Sequence, residues 1–164
     1  MISLHAILLN SLCVVIAQLA YQAGAINPSA PPSTSNVLFS ANVGLGKALP
    51  PVPIPGGQRV VEPITGGIVN GSLINATIAG GLAYPRLLSN GTIEDAEIII
   101  YGQTVDNSSY FVTIAGIGIV MGQIARVNFE IGGKYAALAD ELFVATVVPS
   151  KDRTTVKVDG YELS

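Results

Sequence analysis

The chain has 164 residues, 49% hydrophobic and only 12% charged, with a formal net charge of −3 at pH 7. It contains one Cys, one His and no Trp. So mild a balance, with no basic cluster, excludes an electrostatic surface for nucleic acid.

In chain order, Ala6 to Leu19 is an apolar run broken only by Asn10, Ser11 and Gln18, followed by Ala23-Gly24-Ala25. The run is shorter than the ~20 apolar residues of a stable membrane span. Small residues spaced small-x-small after it are what signal peptidase recognises. Residues 1–25 are therefore expected to be a signal peptide, and the product to be secreted or held in the secretory lumen, with no membrane attachment after cleavage. Cleavage would remove both Cys13 and His5, so no disulfide is expected on a route that would permit one. Residues 26–36, rich in Pro, Ser and Thr, read as a flexible leader.

A single β domain is expected over 37–164. Val37 to Val43 reads as a first strand, and Lys47 to Gly57, with four prolines, as an extended loop. Val60 to Ile64, Ile68-Val69, Leu73 to Ile78 and Tyr84 to Leu88 follow as short runs. They are separated by Thr65-Gly66-Gly67, Asn70-Gly71 and Gly80-Gly81, read as tight turns or close backbone approaches, and closed by Asn90-Gly91. Ile93 to Tyr101, Tyr110 to Met121, Ala125 to Ile131, Leu142 to Val148 and Thr155 to Leu163 favour strand by β-branched and aromatic content. Tyr135 to Leu142 is the one helical candidate. About nine or ten strands at hairpin spacing predict an all-β fold, a single antiparallel barrel of lipocalin-like outline with one short helix. Four sequons, at Asn70, Asn75, Asn90 and Asn107, agree with secretion and mark expected glycosylated surface.

Without His or Cys the mature chain has no Ser-His-Asp triad or Cys-His pair, and it lacks the ligands zinc prefers. No metal and no cofactor is expected. Asp, Glu, Lys and Tyr remain for acid–base work. Glu94, Asp95 and Glu97 read as a solvated hairpin end rather than a calcium site, and Asp152-Arg153 as a surface hairpin cap. Arg59 and Glu62 enter the strand before Pro63. Arg126, Asn128 and Glu130 alternate with Val127, Phe129 and Ile131. Turned inward, that polar face would put charge in an apolar cavity, where pKa values shift; turned outward, it is the wet side of a strand.

The order Arg59…Pro63-Ile64-Thr65-Gly66-Gly67…Gly71…Leu73…Gly80-Gly81…Asn90-Gly91…Asp95-Ala96 resembles domain-of-unknown-function family 3237, which includes small bacterial β-barrel proteins. Phe129-Glu130-Ile131-Gly132…Lys134-Tyr135…Phe143-Val144-Ala145-Thr146 and Val156…Tyr161-Glu162-Leu163 are similar to its second half and last strand. The resemblance spans about Val37 to Leu163 and implies a compact barrel with a central cavity. The chain departs from the family pattern at Leu82-Ala83-Tyr84, Thr113-Ile114 and Ala137, each change making the cavity less polar.

The chain also looks like secreted fungal barrel proteins of tropolone–sesquiterpenoid pathways that act as hetero-Diels–Alderases. These promote water loss from a hydroxymethyl tropolone and cycloaddition of the quinone methide onto a terpene alkene. By that likeness the expected partner is an apolar small molecule. Lys134 and Arg59 would stabilise negative oxygen, Glu130 and Tyr135 would handle a proton, and Thr65, Tyr84, Tyr101, Asn128 and Phe129 would line the ligand site. Two other readings stay open: a carrier that does no chemistry, and a secreted interaction protein with a filled core.

Overall fold

The computed structural model describes residues 36–162. The expected signal peptide, and all but the last residue of the expected leader, lie outside the described residues. Twelve strands form one antiparallel sheet. Eight of them close into a barrel: β1 (Phe39–Leu45), β4 (Glu62–Gly71), β5 (Ala76–Ala83), β8 (Ile98–Thr104), β9 (Ser109–Ile119), β10 (Gly122–Ile131), β11 (Phe143–Pro149) and β12 (Thr155–Glu162). The ring runs β1-β4-β5-β8-β9-β10-β11-β12, and β12 returns to β1 with Phe39 opposite Gly160. Closure removes the unpaired edges that an apolar sheet would otherwise present.

Four shorter strands lie outside this ring: β2 (Val52–Ile54), β3 (Gly57–Arg59), β6 (Arg86–Leu88) and β7 (Thr92–Asp95). They continue from β9 as a ribbon in the order β7-β6-β3-β2. A 3₁₀ segment, Gly133–Ala139, lies between β10 and β11 and is the one helical element among the described residues. It overlaps the expected helix but is tighter and shorter.

Side-chain alternation decides what fills the barrel. Phe39, Ala41 and Val43 of β1, Ala125, Val127 and Phe129 of β10, and Phe143, Ala145 and Val147 of β11 all point inward and are buried. Phe39, Phe129 and Phe143 meet edge to face, with ring centroids 5.5 to 6.4 Å apart. Such pairs add about 0.5–1.5 kcal/mol beyond their burial. Gly160 lies under the Phe39 ring across the β1–β12 pair, and a Cβ there would overlap the ring.

Several expected boundaries move; β2, for one, lies within the stretch 47–57 expected as loop, and Asn70-Gly71 ends β4 rather than forming a turn. Thr65-Gly66-Gly67 is not a turn: it lies inside β4, where pairing with β5 jumps from Ile64–Gly81 to Gly67–Ile78 and the strand bends. Gly80-Gly81 likewise lies inside β5 at a register shift against β8. The run from Ile93 to Tyr101 breaks into β7 and β8, because the Ala96 N–H turns aside to donate to the Gly116 carbonyl at 2.8 Å.

Candidate functional site

Two small apolar spaces lie inside the barrel. The first, about 40 Å³, is framed by the inward side chains of β1, β4, β8, β9, β11 and β12, among them Val43, Ile64, Ile98, Ile114, Val147 and Val156. The second, about 30 Å³, lies deeper, between the Phe39–Phe129 pair and Ile74, Ile78 and Tyr110. Ile100, Ile114 and Val158 line both, so the two are stacked along the barrel. Leu138 of the 3₁₀ segment is buried in the core cluster to which these walls belong.

Only three polar side chains line the first space: Glu62, Gln123 and Arg153. Glu62 opens β4, and its side chain is 12% exposed. Arg153, 40% exposed, marks the end where the space meets solvent. Its Nη2 lies 3.3 and 3.5 Å from the two Glu62 carboxylate oxygens. The β11–β12 turn holds it there. The Asp152 carboxylate accepts from Ser150 Oγ at 2.6 Å and from Thr154 N and Oγ1 at 3.2 and 2.9 Å. The Ser150 hydroxyl, followed by the Thr154 donors, holds the Asp152 carboxyl below its usual range. Arg153 itself adopts φ 57, a left-handed conformation rare for a side chain of this size. The tethered turn thus aims a cation at a half-enclosed carboxylate over an apolar hole. Arg153 is the exposed hairpin cap the sequence predicts, and from that turn it also reaches Glu62.

Gln123, at the start of β10, is 6% exposed. Its Nε2 donates to the Ile119 carbonyl at 3.4 Å. Together these three groups offer a proton acceptor, a fixed positive charge and a neutral amide at the rim of a hydrocarbon-lined cavity.

The residues expected to form the site lie elsewhere. Arg126, Asn128 and Glu130 turn outward, because Ala125, Val127 and Phe129 take the inward face of β10. Glu130 is exposed, and Asn128 Nδ2 donates to Thr113 Oγ1 at 3.4 Å on the outer face. Phe129 does line the deeper space. Thr65 is exposed on β4, and Tyr101 is 49% exposed on β8. Arg59 lies in the outer ribbon, bonded to Glu97 at 2.8 Å and to the Tyr84 carbonyl at 2.8 Å, with Asp95 at 3.5 Å. The Tyr84 ring sits against its guanidinium at 5.8 Å. Lys134 is 57% exposed, 3.1 Å from Asp106, and 4.8 Å above the half-buried Tyr135 ring.

The structure does not bring Arg59 to Lys134. Their partners Glu97 and Asp106 flank opposite ends of β8, whose seven residues span about 24 Å. Lys134 and Tyr135 stack on each other outside the barrel. The Asp106 carboxyl is held below its usual range, chiefly by the Thr104 hydroxyl and then by Lys134, and the same ion pair raises Lys134. Glu94 is paired with Arg86, and Asp95 and Glu97 share Arg59. Asn70, Asn75, Asn90 and Asn107 are all exposed.

Of the three rim groups, Gln123 was open to sequence reasoning: it extends the alternation of Ala125, Val127 and Phe129 by one polar step. Glu62 shares a strand face with Ile64, a weaker signal. Arg153 carries no local signal, because its aim depends on a turn conformation.

No family model and no curated protein matches the chain. Solved structures do. A conserved protein of unknown function from Rhodopseudomonas palustris aligns with TM-score 0.70 and 23% identity, covering 81% of this chain and 99% of its own. A β-barrel-like protein from Acinetobacter baumannii aligns with TM-score 0.69 and 19% identity, covering 83% and 99%. An enzyme from Penicillium herquei aligns with TM-score 0.59 and 23% identity, covering 82% and 99%. These likenesses place the chain's fold among small β-barrel proteins, one of them an enzyme.

Proposed function

We propose that the protein is a secreted, N-glycosylated barrel, akin to domain-of-unknown-function family 3237, that takes an apolar small molecule at its open end. There it catalyses a cofactor-independent dehydration and cyclisation of the hetero-Diels–Alder type. One observation carries this reading: the Glu62–Arg153 pair faces a cavity whose other walls, Gln123 aside, are hydrocarbon or proline. The fold shared with a Penicillium herquei enzyme supports it.

The chemistry needs little more than those groups. Glu62 takes the proton of a ring hydroxyl. The C–O bond of a neighbouring hydroxymethyl group breaks, and its oxygen leaves as water with that proton, which regenerates the carboxylate. Arg153 stabilises the oxygen that carries charge as the bond breaks. The quinone methide left behind adds to an alkene held against it at the solvent-facing mouth, a step that positioning alone accelerates. The space within, about 40 Å³, is too small for both.

The test is a metabolite comparison. With the gene deleted in its host, a precursor should accumulate, and purified protein added to the extract should convert it. Glu62→Gln, which keeps the shape but not the base, should lower that turnover by about 10²-fold or more. An extract left unconverted by folded protein would remove the enzymatic reading.

One observation favours a carrier instead: among the described residues, the deeper space has a single polar side-chain group, the Tyr110 hydroxyl, which is already bonded to the Thr77 carbonyl at 3.2 Å. In a carrier, Glu62→Gln would leave ligand retention unchanged.

A further inference from the structure

Gln123 is the most enclosed polar side chain on the cavity wall, and the protein uses only part of it. The strand alternation that turns Ala125 and Val127 inward turns Gln123 inward too, one step nearer the rim. Its Nε2 makes one long bond, 3.4 Å to the Ile119 carbonyl at the foot of the β9–β10 hairpin. Its Oε1 accepts nothing from any described residue. Among the described residues, however, no side-chain nitrogen or oxygen sealed from solvent lacks a partner. Oε1 is therefore open to solvent rather than sealed in the wall, on a side chain that lines the open volume. Water meets an amide so placed, and a ligand that displaces this water has to replace its hydrogen bonds or leave the amide bare.

We infer that Gln123 determines ligand specificity by reading a neutral hydroxyl group carried on an otherwise apolar ligand. The inference rests on the proposed ligand site and names the ligand class. A hydroxyl both donates and accepts, so it satisfies Oε1 and the second Nε2 hydrogen together. A hydrocarbon satisfies neither. A carboxylate accepts only, so it leaves Oε1 without a donor, and at the rim it meets a cation, Arg153, that Glu62 already neutralises. A site built to bond a hydroxyl discriminates against the analogue without one, because its own polar atoms are then left bare.

Three slender probes test this by isothermal titration calorimetry on the purified protein: 1-hexanol, hexane and hexanoate. The informative quantity is how the alcohol-to-hydrocarbon affinity ratio responds to Gln123→Met, which keeps the volume and removes the amide. That substitution is expected to weaken 1-hexanol about tenfold, the worth of one hydrogen bond, and to leave hexane as tight or tighter. Hexanoate should bind more weakly than 1-hexanol to the native protein. Gln123→Asn, which keeps an amide but withdraws it by one methylene, should also lower the ratio, and it serves if the Met variant does not fold. A purely structural Gln123, bracing the hairpin through Ile119, would lower the melting temperature and change both affinities by the same factor. Equal change in both probes overturns the inference and leaves the ligand site standing. Failure of all three probes to bind the native protein overturns the inference and the ligand site together.

Discussion

Tyr110 is the buried titratable group whose ionisation the barrel opposes most clearly. Its ring packs in the deep end and its hydroxyl donates to the Thr77 carbonyl. Burial pushes its pKa from 10.0 up to about 12. The folded state therefore holds this proton more tightly than the unfolded chain does. The contribution is fully present below pH 10 and is lost as the pH rises from 10 to about 12. Two pKa units amount to roughly 3 kcal/mol. Tyr110→Phe should remove that part of the alkaline loss, seen as a flatter dependence of the denaturation midpoint on pH above 10. Phe143, almost wholly enclosed by its neighbours, gives the core counterpart. Phe143→Ala should cost about 3–5 kcal/mol in chemical denaturation, because Phe39 and Phe129 lose their shared edge-to-face partner.

Among the elements, the outer ribbon depends on a few long-range links. β7 meets β9 only through Thr92 and Ile93, and Arg59 ties β3 to Glu97 and Asp95. Partly exposed ion pairs are worth at most about 1 kcal/mol each. Arg59→Met should then leave the global midpoint nearly unchanged while amide exchange speeds up, by roughly tenfold, at Gln58, Arg59 and Leu87. Unchanged exchange there would show that the strand pairing holds the ribbon by itself. The same contrast explains what the sequence reveals. Barrel strands such as β10 and β12 are legible because seven or more residues alternate against one core. β2, β3 and β6, three residues each, exist only through pairing with distant partners, and β2 lies in a proline-rich stretch that reads as loop. Gly66-Gly67 admits two readings, a turn or a close backbone approach, and the second holds: β4 bends there within the barrel wall, and a Cβ on Gly67 would collide with the Asn42 carbonyl. The rim divides in the same way. Gln123 is visible in the period of its strand, while Arg153 reaches Glu62 across 91 residues of sequence.

Across the whole molecule, the barrel is asymmetric along its axis. Leu138 and the aromatic trio fill the core toward one end, and the Glu62–Arg153 pair stands at the other beside a narrow hydrocarbon-lined space. A ligand entering there would meet its polar contacts first and apolar wall beyond. Binding is expected inside this end rather than on the outer sheet, which also shows large apolar side chains such as Ile68, Ile117 and Ile119. The most direct measurement is a methyl NMR titration with 1-hexanol on protein labelled at isoleucine. Shifts should concentrate on Ile64, Ile93, Ile98, Ile100 and Ile114, which line the cavity, and be absent at Ile68, Ile117 and Ile119 on the outer face. Shifts confined to the outer isoleucines, with the inner set unmoved, would contradict the account.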